Sequence, residues 1–161
     1  MVGDRVGHYR SMKPLLFGAA LLLFPRVAFA DDLAVTLAQV AIAEAGPSAT
    51  ADHDAVWHVL RKRAERAGWP IGRMARAYSS PLRRGLPAWV WQIPARRWAA
   101  VILRARAFLL GDVPDPCPQA IHWGDRKGDA ARALAAGWHP VSCGPTANLF
   151  WKLPGRKRPL R

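Results

Sequence analysis

The first regular pattern of apolar positions begins just after Asp31-Asp32. Leu33, Leu37 and Val40 fall at i, i+4 and i+7, one face of a helix, and predict a helix over 32–44. Asp31 or Asp32 can cap its start, where an acid also suits the helix dipole, and Gly46-Pro47 stops it. A second helix is predicted from about Asp52 to Ala67, with Gly68 as its end. Its stripe is Val56, Val59, Leu60, Arg63 and Ala67, with Arg63 interrupting the apolar character. A third helix opens after Ile93 with Pro94 in its first turn, carries Trp98, Val101, Ile102, Ala105, Phe108 and Leu109, and closes at Gly111. A fourth, shorter one is expected over 129–136, stopped by Gly137. Short strands are expected near 120–123 and 148–153. The segments 78–91 and 112–123 mix aromatic, polar and proline residues without a clean period, so they read as loops of the kind that line clefts. The predicted class is mainly α with a small β element.

Ahead of this pattern lies a different one. Lys13 precedes an unbroken apolar run, Pro14 to Phe24; Pro25-Arg26 breaks it, and Ala28-Phe29-Ala30 follows. A basic start, a short apolar stretch and an A-x-A site, in that order, predict a signal peptide over 1–30. The run is shorter than the roughly 20 residues needed to span a bilayer, so an uncleaved anchor is the alternative rather than the first reading. Met12 is an alternative start, with residues 1–11 as an extension ahead of it. The expected division is a leader over 1–30, one domain over 31–152 and a basic tail over 153–161. Export places the domain in the periplasm or outside the cell, as a monomer with no stable membrane anchor.

Export changes how the two cysteines read. Cys117 and Cys143 predict one disulfide in an oxidising compartment, a reduced catalytic cysteine being the alternative. Neither cysteine belongs to a C-x-x-C pair, so no metal site is expected, and no cofactor. The net charge is +13; the first 30 residues hold four Lys/Arg and one Asp, which leaves 20 basic and 10 acidic residues for the rest. Such a balance favours polyanionic partners. Export directs that preference to the cell envelope rather than to nucleic acid.

The chain has two glutamates. Glu65 stands among Arg61, Lys62, Arg63 and Arg66 and reads as part of a solvated helix face. Glu44 lies eleven positions after Leu33; at about 100° per residue it returns to within about 20° of that buried stripe. Burial and the negative end of the helix dipole both raise a carboxyl pKa there, as a general acid requires. A structural Glu paired with arginine is the alternative. All eight Trp follow residue 30, and Trp89, Trp91, Trp123 and Trp138 lie in loop-like surroundings, either to stack on sugars or to pack the loops.

Several short stretches resemble one family. Ile42-Ala43-Glu44-Ala45-Gly46, a helix start at Asp52, and a helix with Val59-Leu60-Arg61-Lys62-Arg63 are similar to the opening of the SleB-like cell-wall hydrolases. Ala100–Gly111 followed by Asp112-Val113-Pro114-Asp115-Pro116, then Ala120-Ile121-His122-Trp123, resembles that family's helix, PDP turn and strand. Cys143-Gly144-Pro145-Thr146-Ala147-Asn148-Leu149-Phe150-Trp151 is similar to its close. The resemblance covers about 35–152. It departs at Arg61-Lys62-Arg63, where an Asn-Arg pair is usual, in the cysteine pair, and over 79–92. It implies a lysozyme-like fold, peptidoglycan glycan strands as partner and substrate, and Glu44 as the catalytic acid.

On that basis the expected reaction is a lytic transglycosylation, which needs a single carboxylate. Tyr78, Ser79 and Ser80 are candidates to hydrogen-bond Glu44 or a substrate acetamido group, and His122, Trp123 and Asn148 are candidates for the sugar groove. A hydrolase is the close variant, with Asp52 or Asp54 as second carboxylate, although helix capping accounts for both. The rival classes are a non-catalytic, peptidoglycan-binding envelope protein and, from charge alone, a nucleic-acid binder.

Overall fold

The computed structural model describes residues 24–124 and 129–154, with side chains from Asp32 onward. These form six α-helices, one 3₁₀ turn and a three-stranded antiparallel sheet. Most of the predicted leader and residues 155–161 of the predicted tail lie outside the described residues.

Helix α1 spans Phe24–Ala45. It starts earlier than the stripe implied, because the Ala-rich sequence around Ala28-Phe29-Ala30 favours continued helix. Asp31 and Asp32 therefore lie inside the helix rather than at its start; the Asp32 carbonyl accepts a 2.9 Å bond from Thr36 Oγ1. Leu37, Val40, Ala41 and Ile42 are fully buried. Helix α2, Thr50–Ala67, has an unbroken buried stretch from Asp52 to Leu60. A helix buried on every side runs through the middle of a fold rather than along its surface. Its polar members are satisfied internally. Asp54 holds Arg104 through two bonds of 2.7 and 2.6 Å, and Trp57 Nε1 donates to the Leu37 carbonyl at 2.9 Å. Capping thus does not account for Asp52 or Asp54. Gly68 ends α2 in the left-handed region at φ 63°, as expected of the residue after the last turn.

Between α2 and the next long helix the chain is mostly helical: α3 (Ile71–Tyr78) precedes the loop expected over 78–91, and that stretch holds α4 (Ser80–Arg84) and most of a 3₁₀ turn over Ala88–Gln92. Pro70 and Pro87 stand immediately before two of these elements, and Pro81 lies in the first turn of α4, where a missing N–H costs nothing. α4 and the 3₁₀ turn, at five residues each, are too short to show two full helical periods; α3 does carry Ile71, Met74, Ala75 and Tyr78 at helical spacing. Helix α5, Ala95–Leu110, buries Val101, Ala105 and Phe108 and packs along α1.

The sheet contains β1 (His122–Gly124), β2 (His139–Val141) and β3 (Leu149–Lys152), in the order β1-β3-β2. Trp123 pairs with Phe150, and Phe150 also pairs with Val141. β2 escaped the sequence reading because Pro140 sits in its middle; as an edge strand it tolerates the missing donor. Helix α6, Asp129–Ala135, lies between β1 and β2 in the chain.

Three consecutive cations on α2 tie the segment after α5 to the helix bundle. Arg61 donates to the Phe108 carbonyl at 2.6 Å and lies 3.8 Å above that ring. Lys62 donates to the Cys117 carbonyl at 2.8 Å and pairs with Asp115 at 2.8 Å. Arg63 donates to the Ile121 carbonyl at 3.1 Å and covers the Tyr78 ring at 3.8 Å. Arg63 therefore interrupts the apolar stripe to hold β1, not to reach solvent. The Cys117–Cys143 disulfide closes the same region to the loop before β3. Replacing both cysteines with serine should lower unfolding free energy by about 3 kcal/mol on the loop-entropy scale, read as an earlier midpoint in urea.

Candidate active site

Glu44 occupies the last turn of α1, one residue before its end. Gly46 turns the chain away at φ 85°, and its carbonyl accepts a 2.6 Å bond from His53 Nε2 on α2. The end of α1 is thereby fixed to the central helix. Asp52 fixes it a second time, through the end of the chain: its two oxygens accept the backbone N–H groups of Ala147 and Asn148, both at 2.9 Å. Asn148 then donates its side-chain amide to the Glu44 carbonyl at 3.2 Å.

The Glu44 side chain is half-buried and faces a cleft of about 770 Å³. Its walls include Tyr78, Ser80, Arg83, His122, Trp123 and Asp129. Ser79, wholly buried, donates its hydroxyl to Glu44 Oε1 at 2.9 Å. The Trp123 side chain and the Ser80 backbone N–H also favour the charged carboxylate. Burial pushes the carboxyl above its ordinary value of 4.5 and the negative charge of Asp129 adds to this, while Trp123, the Ser79 hydroxyl and the Ser80 backbone pull the other way. A carboxyl so held can give up a proton at a fixed position and take one back.

The six residues expected around Glu44 divide by task. Ser79 and the Ser80 backbone act on Glu44 directly. Trp123 is 4% exposed and turned toward the carboxylate, so its ring is not a platform for sugar stacking. Asn148 lines the cleft, but its amide is engaged by the Glu44 carbonyl. Tyr78 does not bond Glu44; its hydroxyl is hydrogen-bonded to His122 Nδ1, and its ring meets Trp123 edge-on at 4.8 Å. His122 is framed by Trp138, 4.9 Å away, and burial followed by the Arg63 charge lowers its pKa. A neutral imidazole that accepts at Nδ1 carries its proton on Nε2. Trp89 and Trp91 are exposed, and neither lines this cleft; Trp91 stacks on Trp98 in a separate groove beside Val35 and Ile102.

Two features were not anticipated. Asp129, the first residue of α6, stands in the cleft wall and pairs with Arg132. Its position depends on Gly124: a Cβ there would lie 2.5 Å from Asp129 Cβ, so β1 must carry glycine for α6 to approach. The other is Arg83 and Arg84, which end α4 on the rim of the cleft. The signal for Asp129 was present as an acid at a predicted helix start, where the dipole alone accounts for it.

Among the described residues no group of three or more His, Cys, Asp or Glu side chains is placed to hold a metal ion, and no helix is long and apolar enough to cross a membrane. Compared with family models, curated proteins and solved structures, the chain matches none.

Proposed function

We propose that this chain is an exported enzyme that cleaves the glycan strands of peptidoglycan, with a lysozyme-like arrangement in which Glu44 is the general acid and base. The observation that carries the reading is the half-buried Glu44 at a helix end, open to a cleft, hydrogen-bonded by Ser79 and with its pKa raised by burial. A carboxyl kept protonated by its surroundings is what protonation of a glycosidic oxygen requires. The disulfide suits an oxidising compartment, in keeping with a leader over 1–30.

In the transglycosylase form, Glu44 gives its proton to the bridging oxygen as the C1–O bond breaks. The substrate's 6-hydroxyl oxygen then bonds C1, and its proton returns to Glu44. Ser79 holds the carboxyl in one orientation through both steps. The binding-module alternative called for an exposed Glu44 bridged to arginine; Glu44 is instead half-buried and accepts from a buried serine. The hydrolase form has one specific observation in its favour: Asp129 shares the cleft and its charge acts on Glu44. Asp52 and Asp54 do not fill that role, since both are engaged elsewhere.

Digestion of peptidoglycan sacculi by the purified protein, followed by mass spectrometry, tests the reading. Fragments ending in 1,6-anhydro-muramic acid identify the transglycosylase. Reducing ends identify the hydrolase, and no soluble fragment at all defeats both. The pH profile gives a further check. Glu44 must be protonated to act as acid, so kcat/KM falls as pH rises through its pKa. The Asp129 charge raises that pKa. Asp129→Asn should therefore move the alkaline limb to lower pH, whether or not Asp129 also takes part in the reaction.

A further inference from the structure

We propose that Arg83 and Arg84 form a rim that binds carboxylate groups carried as side branches on an otherwise neutral amino-sugar chain. The proposal rests on the reading of the Glu44 cleft as a glycan site and adds to it a charge preference.

Both arginines line the cleft and both are exposed. Among the described residues neither pairs with a carboxylate, in contrast to Arg104 with Asp54 and Arg132 with Asp129. The cations of α2 are likewise engaged, by the carbonyls of Phe108, Cys117 and Ile121. Arg83 and Arg84 thus offer guanidinium donors to the cleft that the described fold does not use. Guanidinium suits carboxylate, which it can grip with two parallel hydrogen bonds.

The rest of the cleft restricts what the anion belongs to. Glu44 and Asp129 line it as well, so a uniformly charged polyanion would bring negative charge onto two carboxyl groups. A neutral backbone along the cleft, with its charge on branches that reach the rim, meets both demands. In peptidoglycan such carboxylates come from one of two sources: the stem peptide, or, on muramic residues that have lost their stem, the freed lactyl group.

Calorimetry on the full chain, with Glu44→Gln to prevent turnover, tests this with three soluble tetrasaccharides. The first bears stem peptides, the second has had them removed to free the lactyl carboxylates, and the third is the uncharged N-acetylglucosamine tetramer. The first should bind about five- to tenfold more tightly than the third, as two exposed ion pairs can supply, and the difference should shrink with added salt. Binding of the second like the first shows that the rim takes either carboxylate; tighter binding of the second assigns the lactyl carboxylate, and binding like the third assigns the peptide. The preference should vanish in Arg83→Gln/Arg84→Gln and largely return in Arg83→Lys/Arg84→Lys, with unchanged melting temperatures showing that both variants fold. Equal binding of all three probes, or a preference that survives the glutamine pair, overturns the rim while leaving the glycan site. Binding of none overturns both.

Discussion

Glu44→Gln should slow the release of soluble fragments from sacculi by about 10³-fold, within the range that a general acid contributes. Glutamine keeps the shape and can still accept from Ser79, but has no proton to transfer at the glycosidic oxygen. Chromatographic quantification of fragments over time measures the loss. A merely structural Glu44 would give a small change, or one that tracked unfolding, so the same samples need a melting curve. The expected sign there is opposite to that of activity. A carboxyl whose folded-state pKa lies above its unfolded value contributes stability that is complete below the unfolded pKa and is lost as pH rises through the folded pKa. Glu44 is raised by burial. Above its folded pKa the wild type therefore carries a disfavoured buried charge that the glutamine variant lacks. The variant should be at least as stable as wild type in that window, and it should lose activity across the whole profile. A variant that is inactive only because it is unfolded would refute the assignment.

The second large effect is expected at Asp52, which is 2% exposed and touches no part of the cleft's open surface directly. Its two oxygens accept two backbone N–H groups, those of Ala147 and Asn148. In Asp52→Asn one oxygen can still accept, but the amide nitrogen then faces the other N–H, donor against donor. One charge-assisted bond weakens to a neutral one and a buried donor loses its partner. A cost of about 2–4 kcal/mol follows. Activity should fall further than stability alone explains, because Asn148 holds the Glu44 carbonyl from the same strand end. Urea denaturation gives the first quantity. The turnover of the fraction that remains folded gives the second, and a per-molecule activity equal to wild type would show that the 147–148 segment does not position Glu44.

The legible parts of the fold were those with enough length to repeat. α2 and α5 ended where Gly68 and Gly111 predicted, and the stripe of α1 pointed its last member, Glu44, inward. β3 and most of β1 were expected within a residue or two. α4 and the 3₁₀ turn were opaque because each has only five residues and completes no second period, whereas α3 carries Ile71, Met74, Ala75 and Tyr78 at helical spacing that was passed over. The site was legible at Glu44 and at its neighbour Ser79. Asp52 was misread, since an acid at a helix start has a sufficient local explanation, while its partners lie 95 and 96 positions away. Asp129 shared that ambiguity. Trp123, expected for the sugar groove, lines the cleft but is almost wholly buried, and sequence does not show which way an indole faces. Arg61 and Lys62 read as part of a solvated face and Arg63 as a break in the apolar stripe; only the folded chain reveals the carbonyls that these side chains reach.

The order β1-β3-β2 also sets when the site comes into being. The middle strand is the last to be synthesised, and the pairings of both outer strands run through it. The same terminal stretch brings Ala147 and Asn148 to Asp52 and Glu44. A nascent chain that has emerged as far as β2 can possess all six helices and both outer strands, yet its strands have no common partner and the end of α1 lacks its Asn148 contact. Completion of the candidate site is thus tied to the arrival of β3 and the residues just before it. On the glycan-cleaving reading proposed above, Glu44 gains its Asn148 contact only once this stretch has arrived.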